Sequence, residues 1–447
     1  MQATARVLVV DDSAFMRKIL CDLIAVDPQF EIIATANNGR EAVEAVRTLK
    51  PDVITMDLEM PEMNGLEALG RIMRIHPVPI IMLSSISDDG TRETIKALQN
   101  GAFDFIRKPS GPMSPDIHMV GEQLLEKLRI AVLTKRHSYL FQTPQPQQAP
   151  APAPKKPAAT PKSTATISFQ APLTPPPSKV EPAEKPLKPA ADDIAQPTTK
   201  PASRKPQAQP EPAPADTHKR ALKREEAPQA PFADFEAELE IAASAIKPKK
   251  PVPTKTFKHL VAIGTSTGGP RALHEVITTL PIDFPAPVLV VQHMPPKFTR
   301  SLAQRLDSFS SLNVTEAAHG DRVQAGVVYI APGGYHLELA KDAGGYLIKL
   351  SEEAPRGGHR PSVDTMFESC AAYPELRRHA VIMTGMGSDG VKGMKALNDS
   401  GADSAIAEAE ESCVVYGMPR SAVEAGVAKS IVPLRQIAAA ITSAVRK

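Results

Sequence analysis

The chain has 447 residues, with 52 Lys and Arg against 50 Asp and Glu and a formal net charge of +2, which is too long for one ordinary core and gives a length prior of two or three domains. Its basic residues are not gathered into a face or arm that would track a phosphate backbone, which argues against a nucleic-acid partner. No run of about 18 apolar residues occurs and the amino terminus MQATARVLVVDD lacks the organisation of a signal peptide, so the expectation is a cytoplasmic protein with no direct membrane insertion.

From residue 6, short apolar runs alternate with amphipathic stretches. RVLVVDD, EIIATA, DVITMDL, PIIMLSS and FDFIRKP read as strands, with segments such as SAFMRKILCDLIAV and GREAVEAVRTL as helices between them. This alternation predicts a parallel sheet covered on both faces, with ligands at the carboxyl ends of the strands. Asp11 and Asp12 end the first strand, Asp57 the third, Ser84 the fourth, and Lys108 with Pro109 the fifth. Carboxylates at adjacent strand ends repel one another, and a hard divalent cation, Mg2+, is the natural way to hold them together. Solvated loop aspartates would explain any one of these residues but poorly explain the whole set.

More than half of the 45 prolines fall between residues 141 and 255, in runs such as QTPQPQQAPAPAPKKPAATPK. That composition predicts a disordered, extended tether. Three parts follow: a domain over 1–140, a Pro/Ala/Lys-rich linker over 141–255 and a domain over 256–447. Within the tether, Phe232, Phe235, Leu239, Ala242 and Ile246 recur at helical spacing, so FADFEAELEIAASAI is expected to form a short amphipathic helix, either docked on a partner or on one of the domains, or transient without a partner. Cys21, Cys370 and Cys413 are odd in number and sit among apolar residues, which reads as buried reduced thiols.

After the tether, KHLVAIG reads as a strand and PRALHEVITTL as the next helix, with GTSTGG as the turn between them. Gly264, Ser266 and Gly268 match G-x-S-x-G, which marks a nucleophilic serine on a tight turn, but the same glycines suit a phosphate cradle or a plain turn. Gly264 is expected to allow the sharp entrance to this turn, and Gly268 and Gly269 a close approach of the backbone. The next strand, PVLVVQHMPP, ends at His293, which would face the same crevice as Ser266. His274, His319, His336, His359 and His379 sit in a helix or by turns and are less convincing partners. AVIMTGMGSDG supplies a third strand end and Asp389, which would orient the imidazole, or else cap the helix GVKGMKAL. The order Ser266, His293, Asp389 is not that of the α/β-hydrolase elbow, so the motif is no fold label.

The set Asp11, Asp12, Asp57, Ser84, Lys108 and Pro109 resembles a two-component receiver domain. The likeness implies phosphoryl transfer to Asp57 from a histidine kinase, Mg2+ bound by Asp12, Asp57 and the carbonyl of Glu59 with Asp11 acting through water, and switch roles for Ser84, Phe105 and Lys108. For Phe105 an ordinary core ring is an equal alternative. The stretches IGTSTGGP, VVQHMPP, FTRSLAQRL, YIAPGGYH, HRPSVDTMF, MTGMGSDG and CVVYGMP resemble the catalytic domain of chemotaxis response regulators that are protein-glutamate methylesterases. This implies an α/β protein of two doubly wound parallel-sheet domains, a flavodoxin-like receiver and a larger Rossmann-like hydrolase domain. It also implies a Ser266, His293, Asp389 triad, Thr267 and Met386 at an oxyanion hole, no cofactor in the catalytic domain, and methylated chemoreceptors as substrates, with deamidation of receptor glutamines by the same route. The unphosphorylated receiver is expected to cover the catalytic crevice, weakly if the long tether lowers its effective concentration. A binding protein that has lost its chemistry and a DNA-binding response regulator are the alternatives; the intact triad residues speak against the first, and the strand-rich second domain against the other.

Overall fold

The computed structural model describes residues 4–85, 87–109, 117–137 and 256–447. The tether and its expected amphipathic helix over 232–246 lie outside the described residues.

In the first domain, β1 (Ala5–Val10), β2 (Phe30–Ala36), β3 (Val53–Asp57), β4 (Ile80–Ser84) and β5 (Asp104–Arg107) form one sheet in the order β2-β1-β3-β4-β5, and every pair is parallel. β3 and β4 are buried along their whole length, as expected of central strands covered on both faces. The helices are α1 (Ala14–Ala25), α2 (Gly39–Leu49), α3 (Gly65–Ile75), α4 (Asp88–Gln99) and α5 (Ile117–His137). Ser13, Asn38, Asn64 and Ser87 cap the first four, each side chain accepting a backbone N–H from the first turn. These caps end each loop at the carboxyl edge of the sheet, where the aspartates stand.

The second domain is a larger parallel sheet of β6 (His259–Thr265), β7 (Val288–Gln292), β8 (Asn313–Glu316), β9 (Val327–Ile330), β12 (Arg377–Ile382), β13 (Ser404–Glu408) and β14 (Ser430–Val432), in the order β14-β13-β12-β6-β7-β9-β8. An antiparallel hairpin, β10 (His336–Asp342) with β11 (Gly345–Ser351), stands apart from it. Helices α6 (Gly269–Thr279), α7 (Phe298–Phe309), α8 (Val363–Ala371), α9 (Val391–Asp399), α10 (Met418–Glu424) and α11 (Leu434–Val445) cover the sheet. The expected doubly wound architecture holds in both domains.

Two aspartates tie α8 to α9. The Asp389 carboxylate accepts from the Ser362 hydroxyl and from the backbone N–H groups of Val363 and Asp364 at the start of α8. Asp364 in turn accepts from Gly390 N and Gly393 N at the start of α9. Asp389 therefore caps α8, not the GVKGMKAL helix that follows it, and the expected local cap is replaced by a crossed pair.

Both folded domains belong to one compact unit. α4 packs against α6 and α7, and the Phe105 ring lies 4.6 Å from that of Phe298. Around these rings one apolar cluster runs from the first domain into the second. The polar contacts are Thr91 Oγ1 with Ser301 Oγ at 2.8 Å, Arg305 Nε to Gln99 Oε1 at 3.1 Å, and Thr267 Oγ1 to Asp104 Oδ2 at 2.7 Å. Cys370 and Cys413 are buried free thiols, as expected, whereas Cys21 is only half-buried; burial pushes the Cys370 thiol up to about 12.

Removing the Asp364 carboxylate strands two buried N–H groups at the start of α9. Asp364→Ala is expected to lower stability in urea unfolding by about 2–6 kcal/mol, from about 1–3 kcal/mol per unpaired buried group, while Asp364→Asn, which keeps an acceptor, loses less.

Candidate active site and phosphoacceptor site

Ser266 follows β6, the strand between β7 and β12. His293 follows β7 directly, and the loop that leaves β12 carries Met386 and Asp389. The three predicted residues thus come from adjacent strand ends of one sheet, as the α/β crevice rule requires. Gly264 lies within β6 and has no positive φ; a Cβ there would meet Val363 Cγ1 at 2.3 Å. The left-handed residue of the turn is Gly268, at φ 80°, so the sharp bend falls after the serine and not before it.

His293 Nε2 lies 2.8 Å from Asp389 Oδ2. Both side chains are buried, at 7% exposure each. Burial by itself would raise the Asp389 carboxyl, but the His293 hydrogen bond and charge, with the N–H groups of Asp364 and Val363, bring it down to about 2. An ionised Asp389 that accepts at Nε2 leaves the lone pair on Nδ1. Nδ1 is itself buried and without a hydrogen-bond partner among the described residues, so it is the nitrogen free to serve a hydroxyl.

The turn bearing Ser266 is braced from below. Ser266 N donates to Thr384 O, and Thr384 Oγ1 donates to Thr267 O while accepting from Val415 N. Gln292 Nε2 donates to Ser266 O, and Gln292 Oε1 accepts from Thr265 Oγ1. Behind Thr384, the buried Glu408 carboxylate accepts from Thr384 N and from the Ser412 hydroxyl; burial pushes it up to about 7 against those bonds. A Cβ at Gly385 would lie 2.7 Å from the Ser266 Cβ, so the backbone leading into Met386 abuts the serine. Sequence reading missed Thr384, Gln292, Glu408 and Ser362, because their partners, backbone groups for the first three and the Asp389 carboxylate for Ser362, are brought near only in the folded chain.

It also set aside His359. The His359 ring is stacked on the His293 ring, with centroids 3.8 Å apart and planes at 5°. Burial, and then the neighbouring His293, lower the His359 imidazole to about 4.

A cleft of about 540 Å3 contains Ser266, Thr267, His293, His359 and Met386, and it is walled on its other side by Asp104, Phe105 and Lys127 of the first domain. Thr267 spends its hydroxyl on Asp104, which also pairs with Lys127 Nζ at 2.5 Å.

In the first domain, Asp11, Asp12 and Asp57 hold ligand-capable oxygens within 4.8 Å of one another. Lys108 Nζ lies 2.6 Å from Asp57 and 3.2 Å from Asp11. Burial pushes the Asp57 carboxyl up to about 6, opposed by Lys108 and reinforced by Asp11. Three carboxylates against one ammonium leave two negative charges, a donor set suited to a divalent cation. Ser84 is buried and hydrogen-bonded to Thr94 Oγ1 of α4 at 2.5 Å. Glu59 precedes α3, and its side chain accepts from Ser85 Oγ. Phe105 is neither a free ring nor one held only by its own domain: it is buried against Phe298 of the other domain. No helix among the described residues is long and apolar enough to cross a membrane.

Residues 7–114 match the response regulator receiver domain and residues 261–441 match the CheB methylesterase domain. A protein-glutamate methylesterase/protein-glutamine glutaminase of Geobacillus kaustophilus is 43% identical over 444 residues, 98% of each chain. One of Bacillus subtilis is 40% identical over 99% of each. Among solved structures, the Thermotoga maritima CheB methylesterase catalytic domain is 45% identical over 42% of this chain and 99% of its own, with a TM-score of 0.41. The response regulator domain of Thermotoga maritima CheB is 52% identical over 29% and 97%, with a TM-score of 0.27. With both domains matched in order and such identity over nearly the whole chain, this protein belongs to the CheB family of chemotaxis response regulators, the protein-glutamate methylesterase/protein-glutamine glutaminases.

Proposed function

We propose that the chain removes methyl esters from glutamate side chains on the cytoplasmic helices of chemoreceptors, and deamidates receptor glutamines, with Ser266 as nucleophile, His293 as base and Asp389 as the orienting acid. The observation that carries this reading is the adjacency of the three strand ends together with a His293 Nδ1 left free by the Asp389 bond at Nε2. Ser266 Oγ attacks the side-chain carbonyl carbon as its proton passes to His293 Nδ1. The tetrahedral intermediate collapses with cleavage of the bond to methoxide or amide nitrogen, and His293 returns the proton to the leaving group, releasing methanol or ammonia. Water, activated by the same imidazole, then hydrolyses the acyl-serine to the glutamate carboxylate. Backbone N–H groups of Thr267 and Met386 would hold the oxyanion, each donor of this kind being worth about 3 kcal/mol. In methanol-release assays Ser266→Ala is expected to fall to background and Asp389→Asn to lose on the order of 10⁴-fold in kcat; full activity in Ser266→Ala would exclude this serine as nucleophile.

In the receiver, the proposal is phosphoryl transfer from a histidine kinase to Asp57. Asp12, Asp57 and the carbonyl of Glu59 would hold Mg2+, with Asp11 acting through water. Bound there, the ion would neutralise charge on the transferring oxygens; Lys108 already supports Asp57 from the other side. Asp57 is raised to about 6 without metal, so its protonation favours the folded protein at low pH, and that contribution fades as pH rises through about 6. Mg2+ requires the carboxylate. At about a hundredfold its dissociation constant, measured near pH 7.5, it is expected to stabilise the protein by about 2.7 kcal/mol in thermal unfolding, and the same concentration near pH 5 by distinctly less.

The docked receiver suits an inhibitory role: Asp104 takes the Thr267 hydroxyl, and Phe105 rests on Phe298 beside the cleft. Ser84 is joined to α4 through Thr94, so its turning toward a phosphorylated Asp57 would loosen the helix that packs on α6 and α7. A hydrogen bond to a charged group is worth about 1.5–3 kcal/mol; Asp104→Ala is therefore expected to raise methanol release by the unphosphorylated protein about tenfold or more and to leave the phosphorylated protein nearly unchanged. An unaltered basal rate would show that this contact does not hold the receiver down.

A further inference from the structure

The hydrogen bond to Asp389 fixes one corner of the His293 imidazole but not its plane. Bonded through Cγ and held at Nε2, the ring can still turn about the line joining these atoms, carrying Nδ1 toward or away from Ser266, and Nδ1 has no hydrogen-bond partner among the described residues to prevent it. Something else must set the plane, and the ring that lies flat against it belongs to His359.

His359 is delivered by a purpose-shaped segment. Arg356 and His359 exchange both backbone hydrogen bonds at 3.0 Å, and the residues between them, Gly357 and Gly358, have φ of 59° and 85°. Two successive positive φ values are those of a type I′ turn, which favours glycine at both positions. Arg356 is pinned through its guanidinium to both oxygens of Glu368 on α8, and Arg360 donates to the carbonyls of Glu352 and Glu353. Three residues beyond His359, the same strand of chain reaches Ser362, Val363 and Asp364, which hold Asp389. One short segment thus grips the acid by its backbone and the base by a ring.

Resting on the triad assignment above, we infer that His359 is a positioning residue for the reaction: its ring, stacked on His293, fixes the imidazole plane so that Nδ1 points at the nucleophile. The role asks for a flat, neutral group over the ring. Around His359 stand His293, the Asp389 carboxylate and the Lys127 ammonium of the docked receiver. His359 is neutral at neutral pH, so it adds no charge beside the imidazolium that forms on His293 during the reaction.

The test uses the full chain, phosphorylated, with methylated receptor membranes as substrate and methanol release as the readout. His359→Phe keeps a flat ring without nitrogens, and His359→Leu fills similar volume without a plane. The expected result is a kcat for His359→Phe within about threefold of the parent. His359→Leu and His359→Ala should lose about tenfold to a hundredfold in kcat with KM little changed, the order of loss seen when a reacting group is displaced by about an ångström. The His293 ring resonance in histidine-labelled protein should broaden or shift in His359→Leu and stay near its parent position in His359→Phe. Circular dichroism identifies any variant that has failed to fold, and the pair of Phe and Leu remains decisive if Ala does. Equal losses in Phe and Leu would overturn the proposal, assigning the His359 nitrogens to substrate, and full activity in Leu would remove any role. Ser266→Ala and His293→Ala in parallel separate the two readings: if these are active the triad itself is wrong, whereas if they are inactive and His359→Leu is not, only the positioning role fails.

Discussion

A carboxylate kept out of water must find hydrogen-bond donors or give up its charge, and the catalytic domain is arranged around meeting that demand at Asp389. The start of α8 supplies two backbone N–H groups and a serine hydroxyl, and His293 supplies its Nε2–H. Held at about 2, Asp389 is ionised at neutral pH. That charge decides which nitrogen of His293 carries the proton, and therefore which face of the ring is basic. Asp364 returns the bond to α9, so neither helix can shift without disturbing the acid.

The receiver meets a similar demand differently. Asp11, Asp12 and Asp57 are gathered with Lys108 alone paired to them among the described residues, and burial, with Asp11 nearby, leaves the Asp57 carboxyl raised. The acid of the catalytic domain is satisfied by fixed protein dipoles, while the acids of the receiver are left short of positive charge. The first arrangement suits a residue whose charge must not change during a reaction. The second suits one that must accept a cation and then a phosphoryl group.

Between the two sites lies a contact surface built from residues with duties on both sides. Phe105 follows directly on Asp104, which bonds Thr267 beside Ser266. α4, which carries the partner of Ser84, is also the helix against which α6 and α7 pack. A change at Asp57 has a short physical route to Ser266, through packed groups and hydrogen bonds on one face. The docked arrangement rests on the complementarity of this face.

Much was legible in the sequence because period and punctuation report topology. Alternation of apolar runs with amphipathic stretches predicted the first parallel sheet, the family resemblance implied the second, and the rule that ligands gather at strand carboxyl ends singled out Asp57, Lys108, Ser266, His293 and Asp389, since strand ends are local features. What the sequence could not contain was the third dimension of contact. His359 looked like one more histidine by a turn, because nothing local says that a Gly-Gly turn will lay its ring on another 66 residues away in the chain. Asp389 had two readings, an acid for His293 and a cap for the helix beside it; packing of α8 across the crevice supplied its backbone donors instead of that helix. Phe105 could be read equally as core or switch until Phe298 of the other domain was seen against it. The sequence by itself determined which elements form and which end of each sheet carries chemistry; the tertiary structure decided which donors satisfy which charges, because those partners meet only when distant segments pack.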